Sequence, residues 1–168
     1  MDVRAAKLSE LSVLQDIERA AGYWFRDVDM AAITEDEPLP LPELARYQQA
    51  GRAWVIADTN DTPVAYLIAD IVDGNLYIAQ ISVHPNHARH GLGSRLLEHL
   101  AQYAIANHIP ALTLTTFTHV AWNAPYYARC GFHTLADSDL TSGLRRIRQQ
   151  EAAHGLDRWS RVCMRRDL

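Results

Sequence analysis

The sequence predicts an α+β fold around a mixed central sheet, and three observations carry that expectation. Three strand-like runs, Ala53–Ala57, Pro63–Val72 and residues 76–83, follow one another across tight turns only, which is the pattern of an antiparallel meander. A glycine-bearing loop then opens a helix with leucines at 92, 96 and 100, and a buried strand follows at 111–115. A strand–helix–strand unit needs a crossover, so this pair is expected to be parallel or splayed.

Each element has its own signal. Residues 3–6 suit a short first strand. Ser9 stands where an N-cap would, and Leu11, Leu14, Ile17 and Ala20 or Ala21 recur at helical spacing after it. Tyr23-Trp24-Phe25-Arg26 reads as a loop, and the acidic, proline-rich stretch 34–42 as irregular chain. Residues 43–49 suit a short helix stopped by Gly51. Thr59-Asn60-Asp61-Thr62 and Asp73-Gly74-Asn75 are turn signals, the second a strong hairpin signal. Leu92, Leu96, Leu100 and Tyr103 or Ala104 mark one face of a helix reaching about Asn107. Asn123 is expected to cap a short helix with Pro125 in its first turn, and Gly131 to end it. A strand at 132–135, a helix at 141–153 and a strand at 159–164 complete the order.

Composition bounds the function. The 168 residues are expected to form one domain, 1–168, with 48% apolar and 21% charged residues. No apolar run approaches the roughly 20 residues of a membrane span. The N-terminus lacks a basic-then-apolar signal pattern, so a soluble cytoplasmic protein is expected. Cys130 and Cys163 make no disulfide framework and read as small buried residues. A formal net charge of −4 supplies no broad basic field for nucleic acid. Arg145, Arg146 and Arg148 read as a solvated helix face.

The segment from Gln80 to Ser94, through His84-Pro85 and Arg89-His90-Gly91-Leu92-Gly93, runs strand, turn, glycine loop, helix. Such a helix N-terminus aims backbone N–H groups and the positive end of a dipole at one point, where a phosphate binds. A Walker A loop would need a lysine after the second glycine, and Ser94 and Arg95 stand there. A dinucleotide fingerprint would need a third glycine near the start of the fold, and it is missing. The loop instead resembles the acyl-CoA site of the GNAT superfamily of N-acyltransferases, whose pattern is Gln/Arg-x-x-Gly-x-Gly/Ala. The Gln/Arg place falls on Ala88, with Arg89 one position later. A second motif agrees: Asn123, a short helix, then Tyr127 followed by Gly131-Phe132.

This resemblance implies a GNAT fold with the splayed pair around the acyl-CoA site. It implies acetyl-CoA as donor, held by the backbone around Ala88, Arg89, His90, Gly91, Leu92, Gly93 and Ser94. It further implies that Ile81, Ser82 and Val83 face the pantetheine and thioester, and that Asn123 contacts the pantetheine arm. Tyr127 takes the place of the general acid for the departing thiolate, with Tyr126 as its neighbouring competitor. The family's glutamate base falls on Gln80, and a glutamine can only orient a water or the substrate. Asp70, Glu35, Glu43 and His84 are other candidates for the base. His84, His87 and His90 repeat every third residue, but Pro85 breaks helical spacing and no metal is expected.

Tyr23-Trp24-Phe25 and Glu35-Asp36-Glu37 suit either a pocket for a cationic amine or a solvated loop over core aromatics. The expected activity is acetyl transfer to a primary amine of a small molecule or peptide, by direct attack in a ternary complex. Its rivals are a non-catalytic acyl-CoA-binding module and an acetyltransferase for a protein N-terminus or aminoacyl-tRNA. The expected partners are acetyl-CoA and the amine acceptor, with a homodimer as an assembly frequent in the family.

Overall fold

The computed structural model describes residues 1–28, 30 and 37–168, and of 26–28 the backbone only. Its strands are β1 (Val3–Ala5), β2 (Ala53–Ala57), β3 (Pro63–Val72), β4 (Asn75–Val83), β5 (Ala111–Phe117), β6 (His133–Thr134) and β7 (Arg161–Asp167). Its α-helices are α1 (Leu11–Gly22), α2 (Leu41–Gln49), α3 (Leu92–Ala106), α4 (Ala124–Arg129) and α5 (Ser142–Ala153). The strand order is β1-β2-β3-β4-β5-β7-β6. β4 and β5 are parallel, whereas β1–β2, β2–β3, β5–β7 and β6–β7 are antiparallel. The mixed sheet of an α+β fold is thus present. The chain divides into two compact units, 1–70 with 79–100, and 71–78 with 101–168.

In the first unit, β2 and β3 are apolar nearly throughout because helices cover both of their faces. Ala53 and Val55, paired with Ile68 and Tyr66, pack with Leu11, Leu14 and Ile17 of α1 and Leu44 and Tyr47 of α2. Each of the Val, Leu and Ile side chains contributes about 1.5–3 kcal/mol when buried. On the opposite face Trp54 meets His99 of α3 edge-on at 5.9 Å. The leucine stripe of α3 is buried as expected, at Leu92, Leu96 and Leu100.

Three local expectations are corrected in this unit. Ser9 caps nothing; it lies inside a 3-10 turn (Leu8–Glu10) that feeds α1. The carboxylate of Glu10 is drawn instead to Arg4, whose Nη2 donates at 2.6 Å, and it also accepts the Lys7 N–H at 2.8 Å. Tyr23-Trp24-Phe25-Arg26 is no loop: the backbone tightens into a 3-10 helix (Tyr23–Val28), with the Tyr23 N–H donating to the Ala20 and Ala21 carbonyls. Helix α2 starts at Leu41, two residues early, because Pro42 lacks an N–H that the first turn could not use.

The second unit is held by β5, β7 and α5. β4 pairs with β5 through Leu76/Leu112 and Tyr77/Thr113. β5 pairs with β7 along its whole length, from Ala111/Asp167 to Phe117/Arg161. β7 begins two residues later than expected and extends to Asp167, because a 3-10 turn (Leu156–Arg158) leads into it. The hairpin signal at Asp73-Gly74-Asn75 is realised, with Asp73 and Gly74 both left-handed at φ 52° and 80°. Asp73 Oδ2 then accepts the Gly143 N–H at 2.9 Å, at the first turn of α5.

The arginine run on α5 is not wholly solvated. Arg148 is partly buried and donates to Glu151 at 2.8 Å and to Asp157 at 2.7 Å. The same Glu151 accepts from Thr115 of β5 at 2.6 Å and from Arg161 of β7 at 2.9 Å. One carboxylate therefore ties the helix to two strands.

Candidate active site

In the first unit, β4 ends at Val83 and a 3-10 turn (Pro85–His87) follows. His84 Nδ1 accepts the Asn86 N–H at 3.1 Å, which fixes the ring within this turn. The His84 and His87 rings meet edge-on at 6.4 Å. Among the described residues, no group of three or more His, Cys, Asp or Glu side chains is placed to hold a metal.

The loop then turns left-handed twice, at Arg89 (φ 64°) and Gly91 (φ 75°). The Arg95 N–H donates to the Gly91 carbonyl at 3.1 Å, so the N–H groups of Leu92 and Gly93 precede the first helical bond and have no partner within α3. A Cβ at Gly91 would meet no atom within 4 Å. Arg89 and His90 are exposed, whereas Ala88 and Gly93 are half-buried. Unpartnered N–H groups at a helix N-terminus are chemically able to hold a phosphate.

On β4, Ser82 is buried and Gln80, Ile81 and Val83 are half-buried. Gln80 Nε2 donates to Ser82 Oγ at 2.8 Å. Of the carboxylates considered as the base, Asp70 is engaged by the Tyr47 hydroxyl at 2.6 Å and by Arg46 at 3.3 Å. Glu43 lies 3.5 Å from Arg46 on the surface. Glu35 and its neighbour Asp36 lie outside the described residues.

In the second unit, Asn123 precedes α4, but its side chain makes no cap. Its Oδ1 accepts from the Thr116 hydroxyl of β5 at 2.6 Å instead; this corrects the capping role expected of it. Tyr127 is half-buried, edge-on to Phe132 at 5.9 Å and to Tyr126 at 5.4 Å. Burial foremost, with Tyr126 and Cys130 nearby, pushes its pKa up, so the phenol keeps its proton at neutral pH. Tyr126 sits beneath the Arg129 guanidinium at 5.9 Å.

The model of the acetyltransferase (GNAT) family matches residues 14–132. That span covers both the glycine loop and Tyr127, and more than half of the chain. The chain belongs to the GNAT acetyltransferase family. As a GNAT enzyme it is an acyltransferase, an N-acetyltransferase that uses acetyl-CoA as cosubstrate.

Solved structures share its fold at low identity. The ribosomal-protein-S18-alanine N-acetyltransferase of Escherichia coli is similar with a TM-score of 0.69 at 19% identity, covering 98% of this chain and 92% of that one. A Mycobacterium tuberculosis protein in complex with CoA gives 0.71 at 17%, covering 100% and 99%. The PaiA N-acetyltransferase of Thermoplasma acidophilum, in complex with coenzyme A, gives 0.69 at 14%, covering 99% and 98%.

Glu18 of α1 and Tyr66 of β3 are polar groups that no sequence motif marks. The Tyr66 hydroxyl donates to Glu18 Oε2 at 3.4 Å. A signal for Glu18 was present: it stands four residues after Leu14 and seven after Leu11. A carboxylate there interrupts the apolar stripe of α1.

Proposed function

We propose that this GNAT enzyme, acting as one catalytic domain over 1–168, acetylates a primary amine of a small molecule or peptide by direct attack in a ternary complex. The observation that carries the reading is the loop from Ala88 to Ser94, with Arg89 and Gly91 left-handed and open space where a Gly91 Cβ would stand. Acetyl-CoA supplies the activated acyl group, and the family match supports it as donor. In this reading the loop backbone holds the pyrophosphate. Ile81, Ser82 and Val83 line the pantetheine and thioester, with Asn123 beside the pantetheine arm.

Tyr127 donates its proton to the departing sulfur. A thiol has a pKa near ~8.5, so protonation eases its departure, and a phenol kept neutral by burial is a suitable donor. Gln80 takes no proton and orients the incoming amine. A lysine-like amine is neutral on the order of once in 10³ molecules at pH 7, so its proton passes to water.

The experiment is a transfer screen with labelled acetyl-CoA over amines, amino acids, polyamines and peptides. The fold likeness to the S18-alanine acetyltransferase puts a peptide with an N-terminal alanine in the first panel. Acetyl-CoA binding without turnover over the whole panel would leave a non-catalytic acyl-CoA-binding module. In the active enzyme, Tyr127→Phe is expected to lower kcat by about 10²-fold while the KM for acetyl-CoA stays within about twofold. Undiminished kcat across pH would remove Tyr127 from its role. A cytoplasmic homodimer completes the reading, and light scattering of the purified chain tests the dimer.

A further inference from the structure

Helix α4 carries Tyr127, yet it is only 6 residues long. Isolated helices shorter than about 12 residues are marginal in water, so α4 takes its place from its anchors rather than from its own bonds. Packing supplies few of them. Ala124 is buried, whereas Pro125, Ala128 and Arg129 are exposed.

The backbone of Tyr127 is pinned at both ends. Its N–H donates to the Asn123 carbonyl at 3.0 Å, and its own carbonyl accepts from Cys130 at 2.9 Å and from Phe132 at 3.0 Å. Phe132 is buried, which fixes the far end of the helix. The near end hangs on Asn123. The Asn123 N–H donates to the Val120 carbonyl at 2.9 Å, which closes a local turn. Its side chain reaches the sheet, where Oδ1 accepts from the Thr116 hydroxyl at 2.6 Å.

That distance says which end of the amide faces β5. N–H···O bonds run from about 2.7 to 3.2 Å, whereas O–H···O bonds reach down to about 2.5 Å. A separation of 2.6 Å is one between two oxygens, so Thr116 is the donor. Thr116 is 3% exposed, which keeps bulk water from competing for the bond. It is paired with Val162 of β7, within a strand bound to β7 along its whole length. The donor therefore stands on a rigid element.

We propose that Thr116, acting through Asn123, sets the position of Tyr127. The links run from the Thr116 hydroxyl to the Asn123 side chain, and from the Asn123 carbonyl to the Tyr127 N–H. Thr116 is a positioning residue. Without its hydroxyl, Asn123 loses its hold on β5, and the first turn of α4 shifts with the phenol. Proton transfer to a departing sulfur needs the donor within hydrogen-bond reach, so a small displacement of the phenol lowers turnover. The effect on turnover rests on the reading of Tyr127 as general acid above; the latch between Thr116 and α4 does not.

The test uses the full chain labelled with ¹⁵N. Exchange of the Tyr127 backbone amide is measured in the wild type, Thr116→Val and Asn123→Ala. Both variants are expected to speed it about fivefold, the effect of losing one net hydrogen bond, while the amides of β5 exchange as before. Thr116→Ser keeps the hydroxyl and is expected to keep the wild-type rate. With acetyl-CoA and n-butylamine as acceptor probe, Thr116→Val is expected to lower kcat about tenfold and to leave the amine KM within about twofold. Thr116→Ser is expected to recover kcat. In the Tyr127→Phe background Thr116→Val should lower kcat no further, because the phenol it positions is gone.

Tyr127 exchange unchanged in both variants overturns the latch. Altered exchange with undiminished kcat in Thr116→Val, or a further loss in the Tyr127→Phe background, overturns its bearing on Tyr127. Altered exchange with full kcat in Tyr127→Phe, or with no turnover of n-butylamine by the wild type, counts against the function proposed above and leaves the latch standing.

Discussion

Glu10 shows how a single buried carboxylate is kept charged. It is 8% exposed, yet it accepts two bonds from Arg4, at 3.0 and 2.6 Å, and one from the Lys7 N–H. The Arg4 hydrogen bond is the largest cause holding its pKa below the ordinary 4.5, against the opposing pull of burial. A depressed carboxylate contributes stability that is full above its ordinary value and is lost as pH falls through its folded one. Arg4→Met is expected to cost about 1.5–3 kcal/mol, the range of a hydrogen bond to a charged group. Urea midpoints would show it, with m unchanged, and the variant should lose less stability than the wild type on passing below pH 4.5. An equal acid dependence in both would detach Glu10 from Arg4.

At this scale the sequence was legible where chemistry follows residue type in a local pattern. Gly91 and Tyr127 are marked by the family motifs in which they stand. Glu18 and Tyr66 did not, because their meaning depends on a hydrogen bond across 48 residues that no local spacing encodes. Asn123 misled for a related reason: an asparagine before a helix signals a cap, but the hydroxyl of Thr116, seven residues earlier, takes its Oδ1 at 2.6 Å.

Among elements, two glycines show opposite reasons for the same residue. Gly91 has φ 75° and open space where a Cβ would stand, so it serves the backbone conformation at the start of α3. Gly91→Ala is expected to cost about 1–2 kcal/mol through left-handed strain and to weaken acetyl-CoA binding. Gly143 carries no left-handed torsion, but a Cβ there would lie 2.5 Å from Val72 Cγ1 and 2.6 Å from Asp73 Oδ2. Gly143→Ala is expected to cost about 1–3 kcal/mol through overpacking, even though alanine is the better helix former, with acetyl-CoA binding unchanged. Thermal melts with a CoA titration separate the two; loss of CoA binding in Gly143→Ala alone would contradict the assignment. Only the first glycine was readable in the sequence, from its motif. The second depends on a hairpin tip reaching a distant helix. The elements themselves were mostly legible, since the stripe of α3 and the meander follow from periodicity. Their ends were not, where 3-10 turns such as Leu8–Glu10 and Leu156–Arg158 replaced sharp starts.

Over the whole molecule, tyrosines set the alkaline limit. Burial raises the pKa of Tyr47, Tyr66 and Tyr127, and that of Tyr77 to about 12. A phenol whose folded value exceeds its unfolded one contributes stability that is full below about pH 10 and is lost as pH climbs through the folded value. Above pH 10, stability is expected to fall by up to about 1.4 kcal/mol per pH unit for each phenol still protonated. Urea titrations at successive pH values would measure this, with phenolate absorbance lagging behind that of the unfolded chain. Phenols that all ionise near pH 10, with no loss of stability, would refute it.

The hydrogen bond from Gly143 to Asp73 joins residues 70 apart in the chain. Loop closure over such a length is slow to nucleate, whereas the hairpin at Asp73 and Gly74 needs only neighbouring residues. The order of assembly is thereby biased: the hairpin forms first, and α5 acquires its final N-terminal bond only on docking against it. A segment made late on the ribosome is thus completed by a turn made early, and nascent chains that stop short of α5 leave the Asp73 carboxylate waiting in water.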